Sequence, residues 1–311
     1  MASVIKQNKF FFYVKGYGQR FLPVGNLEQT ILDLYKNISP SEKNEVEFRV
    51  DYYHKLNEKQ SISKDGTRVL DLLHPKTPKA YYFDTYEFAR YFPKNDRIDF
   101  EFGDVNYLLE TPSICKSRPI FGKNENNILL NLDKARHFVC VKDEKSFAEK
   151  KDLLIGRAAI YQKHRVDFYE KNFENSLCDL GQVNKIGGNA NWIKPKLSLI
   201  EHLDYKFILS LEGNDVATNL KWIMSSNSIA VSPPLKMETW YMEGLLKPDE
   251  HFVCINDFEK LEEKLQYYID HPKESEEIIK NAKLHREKFN NENVEKLISL
   301  LVLKKYFECI L

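Results

Sequence analysis

The chain has 311 residues, enough for two domains of ordinary size, and its 46 basic side chains are matched by 46 acidic ones. That balance excludes an overall field drawing in nucleic acid or an anionic surface, so a phosphate ligand would need a local site. Hydrophobic residues make up 42% and aromatics 13%, ample material for cores.

From the start, residues 1–9 lack the apolar stretch of a signal peptide, and no later run approaches the roughly 18 apolar residues of a spanning helix. A soluble, cytoplasmic protein is expected. Runs rich in β-formers at 10–14, 45–53, 98–102 and 138–141, then at 152–155, 207–211, 229–231 and 252–255, are expected strands. Helical patterns separate them at 27–36, 85–91, 164–172, 216–225 and 238–245. From Asp257 onward Phe258, Leu261, Leu265 and Tyr268 repeat at helical spacing, Pro272 interrupts, and the pattern resumes at Ile278. The alternation predicts an α/β fold with largely parallel sheets.

No linker divides the chain, and the charged stretch Lys142-Asp143-Glu144-Lys145 is the best boundary, giving domains at 1–150 and 151–311. The last segment, VEKLISLLVLKKYFECIL, is apolar on more than one face and is expected to pack between other elements rather than on a membrane surface. Cys115, Cys140, Cys178, Cys254 and Cys309 are scattered without metal-ligand spacing; they read as buried free thiols, with no metal bound.

Four segments stand out for chemistry. In LEGNDVATNLKW a strand delivers the chain to Gly213, and a helix is expected to begin near Asp215. Its free N–H groups and positive end would face the Gly213-Asn214-Asp215 turn, as an anion site or merely as a tight corner. Asn219 and Lys221 follow a turn or more along; Lys221 is placed either to reach a diphosphate or to lie on a solvated face. In LLIGRAAIYQKHRVDF, Arg157 and Arg165 flank a strand-to-helix connection. An arginine fork suits phosphate, though surface arginines at a helix start would look the same. In RIDFEFGDVNYLLETP, Asp104 follows a strand end, where ligands gather in open α/β sheets, and is either a base or a turn cap. In KMETWYMEGLLKP, Glu238, Trp240, Tyr241 and Glu243 combine carboxylates with rings, as a sugar site does and as a packed, capped helix start also would. Nucleophile-elbow, HExxH, kinase and Asp-x-Asp signatures are absent, which favours a metal-independent reaction.

In this order the four segments resemble glycosyltransferase family 90, which groups CAP10-like capsule proteins, protein O-glucosyltransferases and bacterial lipopolysaccharide core glycosyltransferases. The resemblance runs over residues 80–290, is nearest the lipopolysaccharide branch, and is most specific in YKFILSLEGNDVATNLKWIMSSNSIAVSPPLKMETWYMEGLLKPDEHFVCI. It implies a GT-B fold: two Rossmann-like domains facing across a cleft, the C-terminal one holding the nucleotide sugar, with the last helices returning to the N-terminal one. It also implies inverting transfer of a hexose from a UDP-sugar, a substrate rather than a cofactor. The implied acceptor is a lipopolysaccharide or lipooligosaccharide inner-core sugar, met at the inner membrane face without a spanning segment.

Asp104, within Phe102-Gly103-Asp104, matches the family's catalytic base, and Arg165 matches its phosphate-binding arginine, with Arg157 as the alternative. Asn219 stands where eukaryotic members carry a donor-contacting arginine, leaving Lys221 or the backbone of residues 213–215 to compensate. A capsule sugar or protein serine as acceptor, or a nucleotide-sugar-binding protein without transferase activity, are the alternatives; a nucleic-acid partner is not expected.

Overall fold

A computed structural model of the protein describes residues 2–6, 8–62, 66–77 and 79–310; Met1 and Gln7 of the leading stretch lie outside them. Two compact units result, and neither is continuous in sequence. One comprises Met1–Lys6, His137–Leu235 and Gly244–Lys288; the other Gln7–Arg136, Lys236–Glu243 and Phe289–Leu311. A single boundary at residue 150 does not describe them, because strand pairing carries short segments across it. Ser3–Ile5 pairs antiparallel with Cys140–Lys142 in the first unit, and Met237–Thr239 pairs antiparallel with Ser117–Pro119 in the second.

The first unit is built on a five-stranded parallel sheet. Its spatial order is Cys178–Gln182, Lys151–Ala158, Tyr205–Leu209, Ile229–Ser232 and Val253–Cys254. In chain order this is 2-1-3-4-5, a doubly wound arrangement whose switch point lies between Lys151–Ala158 and Tyr205–Leu209. Parallel strands covered on both faces are apolar nearly throughout, and Leu154, Ile155, Phe207, Ile208, Val231 and Val253 are all buried. Against them pack Phe168 and Tyr169 of helix Lys163–Asn172, Leu265 and Tyr268 of Leu261–Asp270, and Ile278 and Ile279 of Pro272–Glu287. Four of the five strands fall where apolar runs predict them. The edge strand Cys178–Gln182 escapes prediction because Asp179, Gly181 and Gln182 break its pattern. Pro272 opens a second helix, where its missing N–H costs nothing.

The second unit holds three short parallel strands, Phe100–Glu101, Ser113–Cys115 and Asn127–Leu129, in that spatial order. The last helix, Glu292–Cys309, packs on the helices Pro40–Tyr53, Leu27–Lys36 and Lys79–Ala89. Three neighbours account for its broad apolar surface, from Leu297 to Tyr306.

Two expected strands are helices here. Residues 10–14 lie in Lys9–Gly18, where the Asn8 side chain accepts from the Phe10 and Phe11 N–H groups. Residues 45–53 lie in Pro40–Tyr53, opened by a Ser39–Glu42 capping box. A short apolar run has no period of its own, so the caps decide. All five cysteines are free thiols, Cys115 and Cys254 buried and the others half-buried. No helix among the described residues is long and apolar enough to cross a membrane.

Candidate active site

In the first unit the candidate site is made by the loops leaving the two strands that flank the switch point. After Lys151–Ala158 the chain turns into helix Lys163–Asn172, which carries Arg165. This guanidinium donates from Nε to the Glu212 carbonyl (2.9 Å), from Nη1 to Ala159 (2.8 Å) and from Nη2 to Leu211 (2.8 Å). It thereby ties the ends of both strands together. His164 adds an Nε2 contact to the same Glu212 carbonyl at 2.8 Å; a carbonyl only accepts, so Nε2 carries the proton. Gln162 donates to the Asn214 side chain at 3.2 Å.

The three hydrogen-bond partners of Arg165 are neutral carbonyls, and no carboxylate among the described residues pairs with it. Burial pulls its pKa down from the usual arginine value, the expected response of a cation short of countercharge. Gly213 lies alongside: a Cβ there would come no nearer than 3.4 Å to Arg165 Nη2. A fixed guanidinium without a carboxylate partner, at the switch point of a doubly wound sheet, has the chemistry that suits an anion.

The helix expected over residues 216–225 is mostly absent. Only Leu220–Ile223 is helical, too short and too distant to direct a dipole at residue 213. The Gly213 N–H is itself spent on the Asp215 carbonyl (2.9 Å). A helix end is therefore not on offer at this turn; the cation beside it is a side chain, Arg165.

Asn219 points inward, donating to the Leu209 carbonyl at 2.8 Å and accepting from Ser210 Oγ at 3.1 Å, so it braces the strand end. Asp215 and Lys221 are buried, and Lys221 is not on a solvated face. Arg157 is brought no further into the turn. Its Nη2 pairs with Asp179 Oδ1 at 2.9 Å and its Nη1 donates to the Asp179 carbonyl at 2.7 Å, on the neighbouring edge strand. Burial pushes the Asp179 carboxyl up, but Lys194 and Arg157 outweigh it and hold the pKa below the usual value.

In the second unit Asp104 lies just past the strand Phe100–Glu101, after Gly103, whose φ of +122° suits glycine. Lys116, just past the neighbouring parallel strand Ser113–Cys115, donates Nζ to Asp104 Oδ1 at 2.7 Å. The lysine is buried while the carboxylate side chain is 34% exposed. An ammonium fixed beneath a half-open carboxylate holds it in one orientation toward solvent. Lys116 was not singled out by sequence, since nothing in TPSICKSRPIF separates it from a surface lysine.

The residues read as a sugar-binding cluster form no open site. No α-helix forms there: Met237–Thr239 is a strand, followed by a turn and one short 3-10 helix, Glu243–Leu245. Glu238 is buried against Arg118 Nε (2.7 Å) and accepts from Tyr52. Trp240 stacks on Tyr53 with centroids 3.9 Å apart and donates Nε1 to Glu295 at 2.6 Å. Glu243 accepts from the Thr239 N–H at 2.6 Å and from its hydroxyl. Tyr241 stacks on Phe289. With Trp240 1% exposed, no ring face remains for a sugar. These side chains secure a returning segment to the second unit instead.

A sequence profile described as "Glycosyl transferase family 90" matches residues 143–309. Over 307 residues the chain is also 38% identical to a protein named O-glucosyltransferase LpsA from Dichelobacter nodosus, covering 97% of this chain and 96% of that one. The chain belongs to glycosyltransferase family 90. It is a glycosyltransferase. The profile match takes in Arg157, Arg165, the 212–221 segment and the 238–243 segment but begins after Asp104, which only the full-length likeness reaches. The family match therefore falls mostly on the unit that presents Arg165, and also takes in the returning segments of the other.

Proposed function

We propose that the protein transfers a hexose, glucose in the first instance, from a UDP-sugar to a hydroxyl of a lipopolysaccharide or lipooligosaccharide inner-core sugar, with inversion. The observation that carries this reading is Arg165, fixed by three backbone carbonyls at the switch point with no carboxylate partner. Such a group suits a diphosphate: it needs no rearrangement to bind, and it stabilises the charge that gathers on the leaving group. Glucose is supported by the relative's name, and a lipopolysaccharide acceptor by the resemblance to that branch of the family. The GT-B arrangement and action at the cytosolic membrane face belong to the same proposal.

In the reaction, the Asp104 carboxylate takes the proton of the acceptor hydroxyl as its oxygen attacks the anomeric carbon. The bond from that carbon to the diphosphate oxygen breaks, and its electron pair leaves with UDP, which Arg165 holds. Lys116 keeps the carboxylate aimed. Asn219, occupied with the strand end, takes no part in donor contact, and the diphosphate falls to Arg165.

The test is a coupled measurement of UDP release and of product anomeric configuration by NMR, with UDP-glucose and an isolated core oligosaccharide. Wild type is expected to give product of inverted configuration. Asp104→Asn is expected to lower kcat by about 10²- to 10⁴-fold with donor affinity retained. Retained activity in that variant would remove Asp104 from the mechanism; retained configuration would remove inversion.

A further inference from the structure

The helix Lys9–Gly18 is an unusual element for the surface of a neutral protein. It rests on the second unit by Phe12 and Gly16, one turn apart, and its Tyr13 and Tyr17 rings lie edge-on to Phe83, centroids 6.0 and 4.9 Å away. The opposite face is apolar and open. Phe10 is 71% exposed, Phe11 67%, and Phe21, just after the helix, 83%; Val14 and Leu22 are exposed between them. At about 100° per residue, Phe10, Val14 and Phe11 make one arc, with Lys15 just beyond Phe11 and Tyr17 just beyond Phe10; Lys9, exposed in the first turn, lies toward the Gly16 side.

The polar rim of this arc is basic. From Asn8 to Leu27 the sequence holds Lys9, Lys15 and Arg20 and no acidic residue. Arg20 and Lys79 lie 5.7 and 5.8 Å from the Tyr17 ring centroid; Arg20 donates to the Leu73 carbonyl and Lys79 to the Tyr17 hydroxyl, neutral partners that leave both charges in place. Lys15 is neutralised by Glu87 at 2.8 Å, and Lys9 lies within electrostatic reach of Asp133.

We propose that this face is a docking surface for an anionic lipid bilayer, with Phe10, Phe11 and Phe21 in the interfacial layer and Lys9, Arg20 and Lys79 among the headgroup phosphates. Bulky rings with cations at their margins match that interface, apolar below and negative above. A second copy of the chain is a poorer fit, since a twofold contact would set these cations against one another. The inference rests on the proposed function for its purpose, a membrane-borne acceptor, but not for its geometry.

The experiment is flotation of the full-length protein with vesicles of phosphatidylcholine, with and without phosphatidylglycerol. Wild type is expected to float with the anionic vesicles, less so as salt rises, and not with phosphatidylcholine alone. The doubly substituted Phe10→Ser, Phe11→Ser protein is expected to lose about tenfold or more of its bound fraction, and Lys9→Glu with Lys79→Glu to behave likewise. UDP-glucose turnover and melting temperature, read on the same preparations, are expected to stay at wild-type values, showing intact folding. Wild type that stays unbound, or a double serine variant that floats as well as wild type, overturns the proposal. So does a wild-type dimer that dissociates in the serine variant without any vesicle binding, which would assign the face to a second copy. Flotation without any sugar transfer would sink the proposed function and leave the docking surface standing; transfer without flotation would do the reverse.

Discussion

Arg165 has two roles that its substitutions separate. It satisfies three carbonyls at the ends of two strands and it leaves a positive charge facing the turn at Gly213. Arg165→Met is expected to lower the unfolding free energy by about 1–3 kcal/mol through the carbonyls left without a donor, and to weaken UDP binding by about tenfold or more through the lost charge. Arg165→Lys restores the charge but not the planar fork, so it is expected to regain part of the affinity and little of the stability. Calorimetric titration with UDP beside thermal melts checks both; equal UDP affinity in the methionine variant would refute the anion seat. At this scale the sequence places Arg165 at a strand end, because position relative to a strand end is legible from a pattern. It does not reveal which charges are already spent. Glu238 looks free beside aromatic residues, yet its partner Arg118 lies 120 residues away. Arg157 likewise looks equivalent to Arg165 until Asp179 is seen across the sheet.

Among elements, the Lys9–Gly18 helix shows how packing fixes a segment whose composition is ambiguous. A Cβ on Gly16 would sit 2.6 Å from Phe83 Cγ, at the root of a ring that cannot swing aside without moving its neighbours. Gly16→Ala is expected to destabilise the protein by about 1–3 kcal/mol in denaturant melts, despite alanine's better helix propensity. The same contact is tied electrostatically. Burial pushes the Glu87 carboxyl up, but Lys134 and Lys15 outweigh it and hold its pKa at about 2, against an ordinary 4.5. A carboxyl depressed on folding adds stability that is whole above its unfolded value and lost as pH falls toward the folded one. Neighbouring Asp84 runs the other way, raised by burial from 3.8 to about 6, so the interval below pH 3.8 isolates Glu87. Wild type is expected to lose stability there and Glu87→Gln to show a flatter dependence; parallel curves would dismiss the cluster. The strands of the parallel sheet are legible because burial on both faces demands unbroken apolar runs. The FFFYV segment is not, since its helix is set by Asn8 and by a glycine fitting one distant ring. The helix expected at 216–225 is cut to four residues because residues 213–218 are held as a turn.

For the molecule as a whole, acid response depends on groups of opposite sign. His54 is fully buried in the second unit; burial, then Lys305, drives its pKa from 6.5 down to about 4. A base depressed on folding takes up its proton more readily when unfolded, so His54 costs stability progressively as pH falls from 6.5 to 4. Asp84, with its raised pKa, adds stability on acidification over much of that range, and the two offset. His54→Leu is expected to remove one side of that balance, giving a protein whose stability rises relative to wild type as pH drops from 6 to 4. Unfolding free energies at several pH values test this, and an unchanged slope would refute it.

The path of the chain has a consequence for how the protein is made. The second unit begins with Gln7 but needs Lys236–Glu243 to extend its antiparallel pair and Phe289–Leu311 to close its helical core. On the ribosome, its first 130 or so residues must therefore wait, with the partners of Tyr53 and Arg49 not yet translated, until nearly the whole polypeptide has emerged. A fragment ending at Lys288 would keep every strand of the five-stranded parallel sheet yet strand the earliest part of the chain without its last helix. Premature termination near the carboxyl end is thus a lesion of the amino-terminal half.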